Sequence, residues 1–198
     1  MYTLGYGLWK HFMQKKDFFI VIIGLDNAGK TTFLEQTKMK FTEGYQMLNP
    51  LKITSTVGLN IGKVELGPLR LNFWDLGGQE ELHSLWQKYF EDSHAMIFVI
   101  DACDVDRLSD VKTAFDRVMN CEAVQRMPIL IVCNKCDLEE CIEAECIRRL
   151  ISDDRHRGDF ALIQVSALQG LNIDRCIKWL CTVLTSDISF IIDNGNSN

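Results

Sequence analysis

The sequence predicts an α/β fold in which a six-stranded, mostly parallel sheet with one antiparallel edge strand is covered by helices on both faces. Short apolar runs of strand length alternate with stretches of helical periodicity along nearly the whole chain. A Gly67-Pro68 pair separates two of those runs and indicates a hairpin. The 198 residues, 47% hydrophobic and 24% charged, suffice for one compact domain and are too few for two ordinary ones.

The predicted elements follow one another in a regular order. Strands are expected at 18–23, 57–66, 69–75, 95–101, 128–133 and 160–165, and helices at 30–40, 79–91, 107–122, 143–151 and 173–184. The second and third strands form the hairpin, which is expected to supply the antiparallel edge. The longest irregular stretch, residues 42–55, is rich in turn formers, and long loops in compact domains are usually functional or mobile.

The first sixteen residues are predicted to form an amphipathic helix, followed by the main domain at 17–186 and a short polar tail at 187–198. On a helical wheel an apolar stripe lies opposite Thr3 and Gln14, and it consists of Met1, Leu4, Leu8 and Phe12, with Trp9 beside it. Three lysines can meet acidic headgroups, so peripheral membrane contact through this helix is expected: Lys10, Lys15 and Lys16. The alternative, that the stripe packs on the domain, stays open.

Common membrane anchors are missing from the sequence. No stretch approaches the roughly 18 apolar residues needed to span a bilayer. Position 2 is Tyr2 rather than the glycine that N-myristoylation requires, and residues 193–198 contain no cysteine for prenylation.

Charge and cysteine content exclude several classes of function. A net charge of −6 and a pI near 5.2 argue against a nucleic-acid-binding surface, which needs clustered Lys and Arg. The eight cysteines are scattered through predicted strands and helices, so reduced thiols in the cytosol are expected. Cys133 and Cys136 form a C-x-x-C, but no second pair stands at zinc spacing, and a metal or redox role is not expected. The chain is expected to be a monomer.

The first chemical motif is G-x-x-x-x-G-K-T, which directly follows an apolar strand and which we call the phosphate loop. Glycines allow backbone N–H groups to close around phosphate oxygens, while Lys30 supplies a cation and Thr31 a hydroxyl ligand for Mg²⁺. A helix that begins near Gly29 adds its positive dipole end. We expect nucleoside triphosphate to contact Gly24, Leu25, Asp26, Asn27, Ala28, Gly29, Lys30, Thr31 and Thr32.

The second motif is W-D-L-G-G-Q, in which an acidic residue ends an apolar strand. Asp75 is placed to hold Mg²⁺ through water, Gly78 to bring a backbone N–H to the terminal phosphate, and Gln79 to orient an attacking water. Together with Lys30, the last two are the expected catalytic groups.

The third motif is N-K-C-D at 134–137, which we call the guanine loop, followed by S-A-L at 166–168. Guanine presents N1–H and an N2 amine as donors, so the carboxylate of Asp137 can accept twice and reject adenine. Asn134 can fix the loop and the base edge, and the stem of Lys135 can lie along the ring. The backbone N–H of Ala167, between Ser166 and Leu168, can meet the O6 atom.

In this order over nearly the whole chain, the motifs resemble those of the Ras-like small GTPases, and within them the Arf and Arf-like family. The marks of that family stand at 24–32, 56–60, 74–80 and 134–137. The Arf-related subgroup is the nearest resemblance, because the chain starts Met1-Tyr2, has Leu59 where Arf proteins usually have Phe, and has a longer loop at 33–55. Cys136 departs from the usual Gln, at the variable position of the guanine loop.

The resemblance implies a Ras-like P-loop NTPase fold that binds GTP or GDP with Mg²⁺ and hydrolyses GTP. It implies that Thr56 reaches Mg²⁺, held also by Thr31 and Asp75, only in the triphosphate state. Effectors are expected at Leu59, Trp74 and Tyr89. It further implies vesicle traffic at the cytoplasmic face of trans-Golgi membranes, in exchange with the cytosol. There, a slide of the 57–75 hairpin by two residues would free the N-terminal helix.

No arginine occurs between Thr31 and Leu69, where an arginine acting in cis would be sought. Such an arginine is worth about 10³ to 10⁵ in rate, so slow intrinsic hydrolysis is expected, with an activating protein that supplies arginine and an exchange factor that releases nucleotide. Two alternatives stay open. The chain can be a GTP-dependent membrane scaffold with negligible hydrolysis, or a metabolic P-loop kinase, which the guanine loop disfavours.

Overall fold

The computed structural model describes the backbone of residues 15–195 and their side chains except at residue 51 and residues 187–195. Six strands are present in this part of the chain: β1 (Lys16–Ile23), β2 (Leu59–Leu66), β3 (Leu69–Leu76), β4 (Ala95–Asp101), β5 (Ile129–Asn134) and β6 (Phe160–Gln164). The helices are α1 (Lys30–Phe41), α2 (His83–Phe90), α3 (Leu108–Met119), α4 (Glu122–Gln125), α5 (Ala144–Leu150) and α6 (Ile173–Gly195). Most of the predicted N-terminal helix lies outside the described residues.

All six strands form one sheet in the order β2-β3-β1-β4-β5-β6. Every neighbouring pair is parallel except the β2–β3 hairpin, which makes β2 an antiparallel edge strand. This confirms the predicted fold class. The sequence explains the arrangement, because every residue of β5 is buried, as expected of a central strand covered on both faces, whereas burial alternates along the middle of β2.

Two hydrophobic layers cover the sheet. On one face Ile20 and Ile22 of β1 pack in a cluster with residues of α1 and α6, such as Phe33 and Ile177. The alternate residues of β1 point to the other face and join a cluster with α2, α3 and α5, which includes Trp86, Phe115 and Ile147. The sheet is thus held between helices, and its strand ends are fixed in position.

Three predicted helix boundaries are wrong. The helix expected at 79–91 begins only at His83, because Gln79 has extended backbone and is followed by a single 3₁₀ turn. The helix expected at 107–122 is divided at Cys121, whose backbone is also extended. The final helix continues from Ile173 through Gly195, past the predicted end at 184 and into the segment predicted as a tail, since residues 185–194 contain no glycine or proline.

The carboxyl ends of five parallel strands meet at one edge of the sheet, where ligands of open α/β sheets bind. The phosphate loop leaves β1, the 77–79 segment leaves β3, and the guanine loop ends β5. Within residues 15–195, no helix combines the length and apolar character required to cross a membrane.

Candidate functional site

The phosphate loop joins β1 to α1 and lies very close to the neighbouring strands. Gly24 has φ of +137°, and a β-carbon there would lie 2.1 Å from the carbonyl oxygen of Val99. Gly29 has φ of +89°, and a β-carbon there would lie 2.3 Å from Nδ2 of Asn134. Glycine is therefore required at both positions. The helix α1 begins directly afterwards at Lys30, so its N-terminus faces the same space.

A cavity of about 270 Å³ opens beside the phosphate loop. Residues 53–55 of the long loop form one wall of it. Many of the residues predicted to bind nucleotide line this cavity, namely Asp26, Asn27, Gly29, Lys30, Thr31, Thr32, Thr56, Gly78 and Lys135. Ala28 is buried behind the loop, and Leu25 is half-buried. Among the described residues no arginine lines the cavity.

Lys30 lies at the floor of the cavity with only 6% of its surface exposed. Its Nζ atom donates hydrogen bonds to the carbonyl oxygens of Gly24 and Leu25, at 3.0 and 2.7 Å. Burial lowers the pKa of Lys30 to about 8, against the opposing influence of the Asp75 and Asp26 carboxylates. A bound phosphate would favour the charged form of Lys30, because it would restore the charge interactions that burial removes.

Three oxygen-bearing side chains meet at one end of the cavity. Thr31 Oγ1 donates to Asp75 Oδ2 at 2.7 Å and lies 2.8 Å from Thr56 Oγ1. Asn60 Nδ2 also donates to Asp75 Oδ2, at 3.2 Å. The other carboxylate oxygen, Oδ1, is buried and has no hydrogen-bond partner among the described protein atoms. Burial raises the pKa of Asp75, and hydrogen bonds from Thr31 and Asn60 oppose that rise.

This cluster fits Mg²⁺, because hydroxyl and carboxylate oxygens are the ligands that the ion prefers. The buried Asp75 Oδ1 atom supports the assignment, since an unpaired buried carboxylate oxygen is costly unless a cation or water satisfies it. Thr31, Thr56 and Asp75 are thus brought together, and Asn60, which the sequence did not single out as a site residue, orients the carboxylate.

The 77–79 segment packs directly on the phosphate loop. The carbonyl oxygen of Gly78 accepts a hydrogen bond from the Asp26 N–H at 3.0 Å, and a β-carbon on Gly78 would lie 2.3 Å from Nζ of Lys30. Two side chains hold the segment from α2: Trp86 Nε1 donates to the Gly77 carbonyl at 3.0 Å, and His83 Nε2 lies 3.1 Å from the Gly78 carbonyl.

Gln79 itself is exposed and follows this packed segment with extended backbone. Gln79 does not line the cavity.

Asn134 joins the guanine loop to two other loops. Its side chain is 2% exposed, with Nδ2 donating to the Ala28 carbonyl at 2.8 Å and Oδ1 accepting from the Ala167 N–H at 2.9 Å. The sequence predicts that the Ala167 N–H donates to the O6 atom of guanine. In this structure the same N–H already donates to the Asn134 side chain. Lys135 follows with φ of +67°.

The remaining predicted base-binding residues lie near Asn134. Asp137 is half-buried in the turn after β5, and Leu168 is 57% exposed. Ser166 is buried and accepts a hydrogen bond from the N–H of Gln169 at 3.1 Å.

The sequence predicts reduced thiols throughout and does not predict that two of them meet. The structure pairs Cys103 with Cys141, whose Cα atoms are 4.4 Å apart. The partners stand 38 positions apart, and no periodic pattern could show that the fold brings them together.

The predicted effector residues lie on the outer side of the hairpin. Trp74 contacts Tyr89 edge to face, with ring centroids 5.5 Å apart, and Leu59 is 38% exposed. Ile61 is 62% exposed, and alternation along β2 places it on the same face as Leu59. Val57, which precedes the strand, is 81% exposed. The predicted apolar surface includes neither residue, although the spacing of two between Leu59 and Ile61 indicates a shared face.

The model of the ADP-ribosylation factor family matches residues 6–184. The chain belongs to this family. This ADP-ribosylation factor family protein is 47% identical over 191 residues to ADP-ribosylation factor-related protein 1 of Rattus norvegicus, a match that covers 95% of each chain. It is 46% identical to the Homo sapiens protein of the same name over the same share of both chains. It is also 35% identical to ADP-ribosylation factor-like protein 3 of Saccharomyces cerevisiae, over 91% of this chain and 92% of the yeast protein.

Solved structures agree with this assignment. The Arl6 BBS3 small GTPase of Trypanosoma brucei, with bound nucleotide analogue GppNp, matches with a TM-score of 0.73 and 27% identity. The match covers 86% of this chain and 99% of that one. The protein therefore has the Ras-like P-loop fold and is a small GTPase of the ADP-ribosylation factor family, which binds guanine nucleotide.

Proposed function

We propose that this protein is a switch that binds GTP with Mg²⁺, recruits effectors while GTP is bound, and hydrolyses GTP to GDP when an activating protein acts on it. The observation that carries the proposal is the meeting of Thr31 and Thr56 at Asp75, whose other carboxylate oxygen is buried and has no hydrogen-bond partner among the described residues. Thr56 lies outside the phosphate loop, in a long connection, so we expect its position to change with the nucleotide in the cavity. A site of this kind can change conformation according to whether the terminal phosphate is present.

The hydrolytic step needs a placed water and stabilised phosphoryl charge. The protein supplies the backbone of Gly78, the ammonium of Lys30 and the amide of Gln79, while Mg²⁺ held at the oxygen cluster would neutralise phosphate charge. Because Gln79 is exposed and no arginine among the described residues lines the cavity, hydrolysis by the protein alone is expected to be slow. An activating protein that contributes an arginine would complete the site, and an exchange factor would release GDP.

The effectors are proposed to bind the apolar surface formed by Leu59, Trp74 and Tyr89, with Val57 and Ile61. Similarity to ADP-ribosylation factor-related protein 1 over 95% of the chain supports a cellular role like that of the Arf-related subgroup. We place that role in vesicle traffic at the cytoplasmic face of trans-Golgi membranes, with the N-terminal segment as the membrane contact.

Substitution of Gln79 by Leu tests the hydrolytic role. We expect wild-type protein loaded with radiolabelled GTP to turn over slowly alone and at least about tenfold faster with cell extract, while Gln79→Leu keeps GTP in both conditions. Gln87→Leu, an exposed glutamine on α2, is the matched control and should respond as the wild type does. Equal stimulated turnover in Gln79→Leu would favour a scaffold in which Gln79 is a bystander.

Calorimetry tests the nucleotide assignment. In the presence of Mg²⁺, GDP and GTP should bind far more tightly than ADP and ATP, because the Asp137 carboxylate accepts only from the guanine edge. Asp137→Asn should lose this preference, whereas Asp154→Asn, remote in sequence from the guanine loop, should retain it. Equal affinity of the wild type for adenine and guanine nucleotides would contradict the assignment.

A further inference from the structure

Two paired cysteines lie directly behind the guanine loop. Cys103 follows β4, Cys141 follows the guanine loop, and their Cα atoms are 4.4 Å apart, within the range that a disulfide spans. The backbone already joins the two segments, because the Ile142 N–H donates to the Ala102 carbonyl at 2.8 Å. The two segments are therefore already close enough for a bond between the two sulfurs.

Both sulfurs also contact one atom of the guanine loop. The Sγ atoms of Cys103 and Cys141 lie 3.3 and 3.1 Å from the carbonyl oxygen of Lys135. A thiol S–H can donate a weak hydrogen bond to that oxygen, whereas a disulfide sulfur has no proton to donate. Lys135 holds an uncommon left-handed backbone conformation, and its ammonium pairs with Asp101, whose carboxylate also accepts from the Cys103 N–H at 3.0 Å. A change between thiols and disulfide therefore alters the contacts of the guanine loop, which is proposed to hold the base.

We propose that Cys103 and Cys141 form a reversible thiol–disulfide site that controls how long guanine nucleotide remains bound. This inference rests on the proposed role of the guanine loop. With a small disulfide such as glutathione disulfide as oxidant, the thiolate of one cysteine attacks an oxidant sulfur and releases one glutathione thiolate. The second cysteine thiolate then displaces the other glutathione. Two electrons pass from the protein to the oxidant, and the two thiol protons end on the two released glutathiones.

Oxidation is expected to slow nucleotide release. With free thiols the guanine loop can loosen from the segment after β4, whereas a disulfide joins these parts covalently and so restricts any opening of the loop that would let the base leave. The opposing change, loss of two weak S–H···O contacts with Lys135, is smaller because thiols are poor donors. The covalent constraint therefore outweighs this loss, and oxidation slows nucleotide release.

The other cysteines provide comparison within the same chain. Cys133 and Cys176 are fully buried, and burial raises the pKa of each thiol to about 12, which makes them unreactive. Cys146 is exposed and unpaired, so it reports general surface oxidation. Cys103 and Cys141 are half-buried and remain within reach of a small oxidant.

The test uses the full chain loaded with fluorescent GDP in Mg²⁺ buffer, equilibrated with either glutathione or glutathione disulfide. The GDP dissociation rate should fall about fivefold on oxidation of the wild type and return with dithiothreitol. Cys103→Ser, Cys141→Ser and the double substitution should not respond, whereas Cys146→Ser should respond as the wild type does. Mass spectrometry of the unreduced tryptic digest should show peptide 89–107 linked to peptide 136–148, with fragment ions that assign Cys141.

The outcomes separate this inference from the proposed function. If GDP is retained but its dissociation rate is equal in both buffers or rises on oxidation, the redox inference is overturned and the nucleotide assignment stands. Fragment ions that place the link at Cys136 or Cys146 instead of Cys141 overturn it as well. Failure of the reduced wild type to retain guanine nucleotide at all overturns the proposed function, and the inference with it.

Discussion

At the scale of single residues, Asn134 is the side chain on which the arrangement of the site depends most. It is buried, and its amide joins the phosphate loop at the Ala28 carbonyl to the 166–168 segment at the Ala167 N–H. Gly29 must be glycine because a β-carbon there would meet this same amide. Three loops that are distant in sequence are therefore held in one geometry by two hydrogen bonds.

Asn134→Ala should both destabilise the protein and release nucleotide. The substitution leaves a buried carbonyl and a buried N–H without partners, which costs about 2 to 4 kcal/mol. In urea unfolding at saturating GDP we expect a loss of that size, and the GDP dissociation rate should rise by about tenfold or more. Asn72→Ala is the matched control, because Asn72 bonds to Asp17 and the Phe18 carbonyl away from the cavity. Normal GDP retention in Asn134→Ala would contradict the role assigned to this amide.

At the scale of elements, the long loop at 42–55 is fixed to α1 by one buried acid. Glu35 is 1% exposed and accepts hydrogen bonds from the Tyr45 hydroxyl at 2.6 Å and the Leu48 N–H at 3.2 Å. Lys38 pairs with Glu35 and lies 4.7 Å from the centre of the Tyr45 ring. Since the same loop supplies residues 53–55 to the cavity wall, this anchor helps to shape the site.

Glu35→Gln should weaken the fold in a pH-dependent way. Burial acts to raise the pKa of Glu35, but hydrogen bonds from Lys38 and Tyr45 outweigh it and leave the pKa below the usual 4.5. A lowered folded-state pKa stabilises the protein above pH 4.5, and this stabilisation is lost as the pH falls through the folded-state pKa. We therefore expect urea unfolding at pH 7 to show Glu35→Gln about 1 kcal/mol less stable than wild type, with a smaller difference on acidification.

The exposed Glu43 in the same loop supplies the control, and Glu43→Gln should change the free energy of unfolding little at any pH. A stability difference between wild type and Glu35→Gln that stays constant from pH 7 to below pH 4 would exclude the carboxylate as its source.

The strands and the phosphate and guanine loops could be predicted because their signals are local. The buried run of β5 leads directly into the guanine loop, so both element and motif stand within ten residues. The missed features are contacts between distant or irregular segments. Nothing in a periodic pattern links Glu35 with Tyr45 or Cys103 with Cys141, and the extended backbone of Gln79 depends on packing against the phosphate loop.

At the scale of the whole molecule, the hairpin connects the site to the beginning of the chain. Two of its buried side chains, Leu71 and Phe73, lie two residues apart, so a slide of two residues keeps apolar side chains on the core face, whereas a slide of one would invert them. At the opposite end, the Lys16 N–H donates to the Pro68 carbonyl at 2.8 Å and Lys15 pairs with Glu65. Any slide of the hairpin therefore acts directly on the point where residues 1–14 join the domain.

This connection predicts membrane binding that depends on the nucleotide. In flotation with vesicles of phosphatidylcholine and phosphatidylserine, we expect protein loaded with a non-hydrolysable GTP analogue to float with the vesicles. GDP-loaded protein should remain in the bottom fraction of the gradient. The double substitution Leu4→Glu with Leu8→Glu removes two apolar side chains from the stripe, a loss of about 3 kcal/mol that should abolish flotation. Thr3→Glu with Gln14→Glu adds the same charge on the opposite face of the predicted helix and should leave the nucleotide dependence intact. Equal flotation of the wild type with both nucleotides would show that the hairpin does not govern the N-terminal segment.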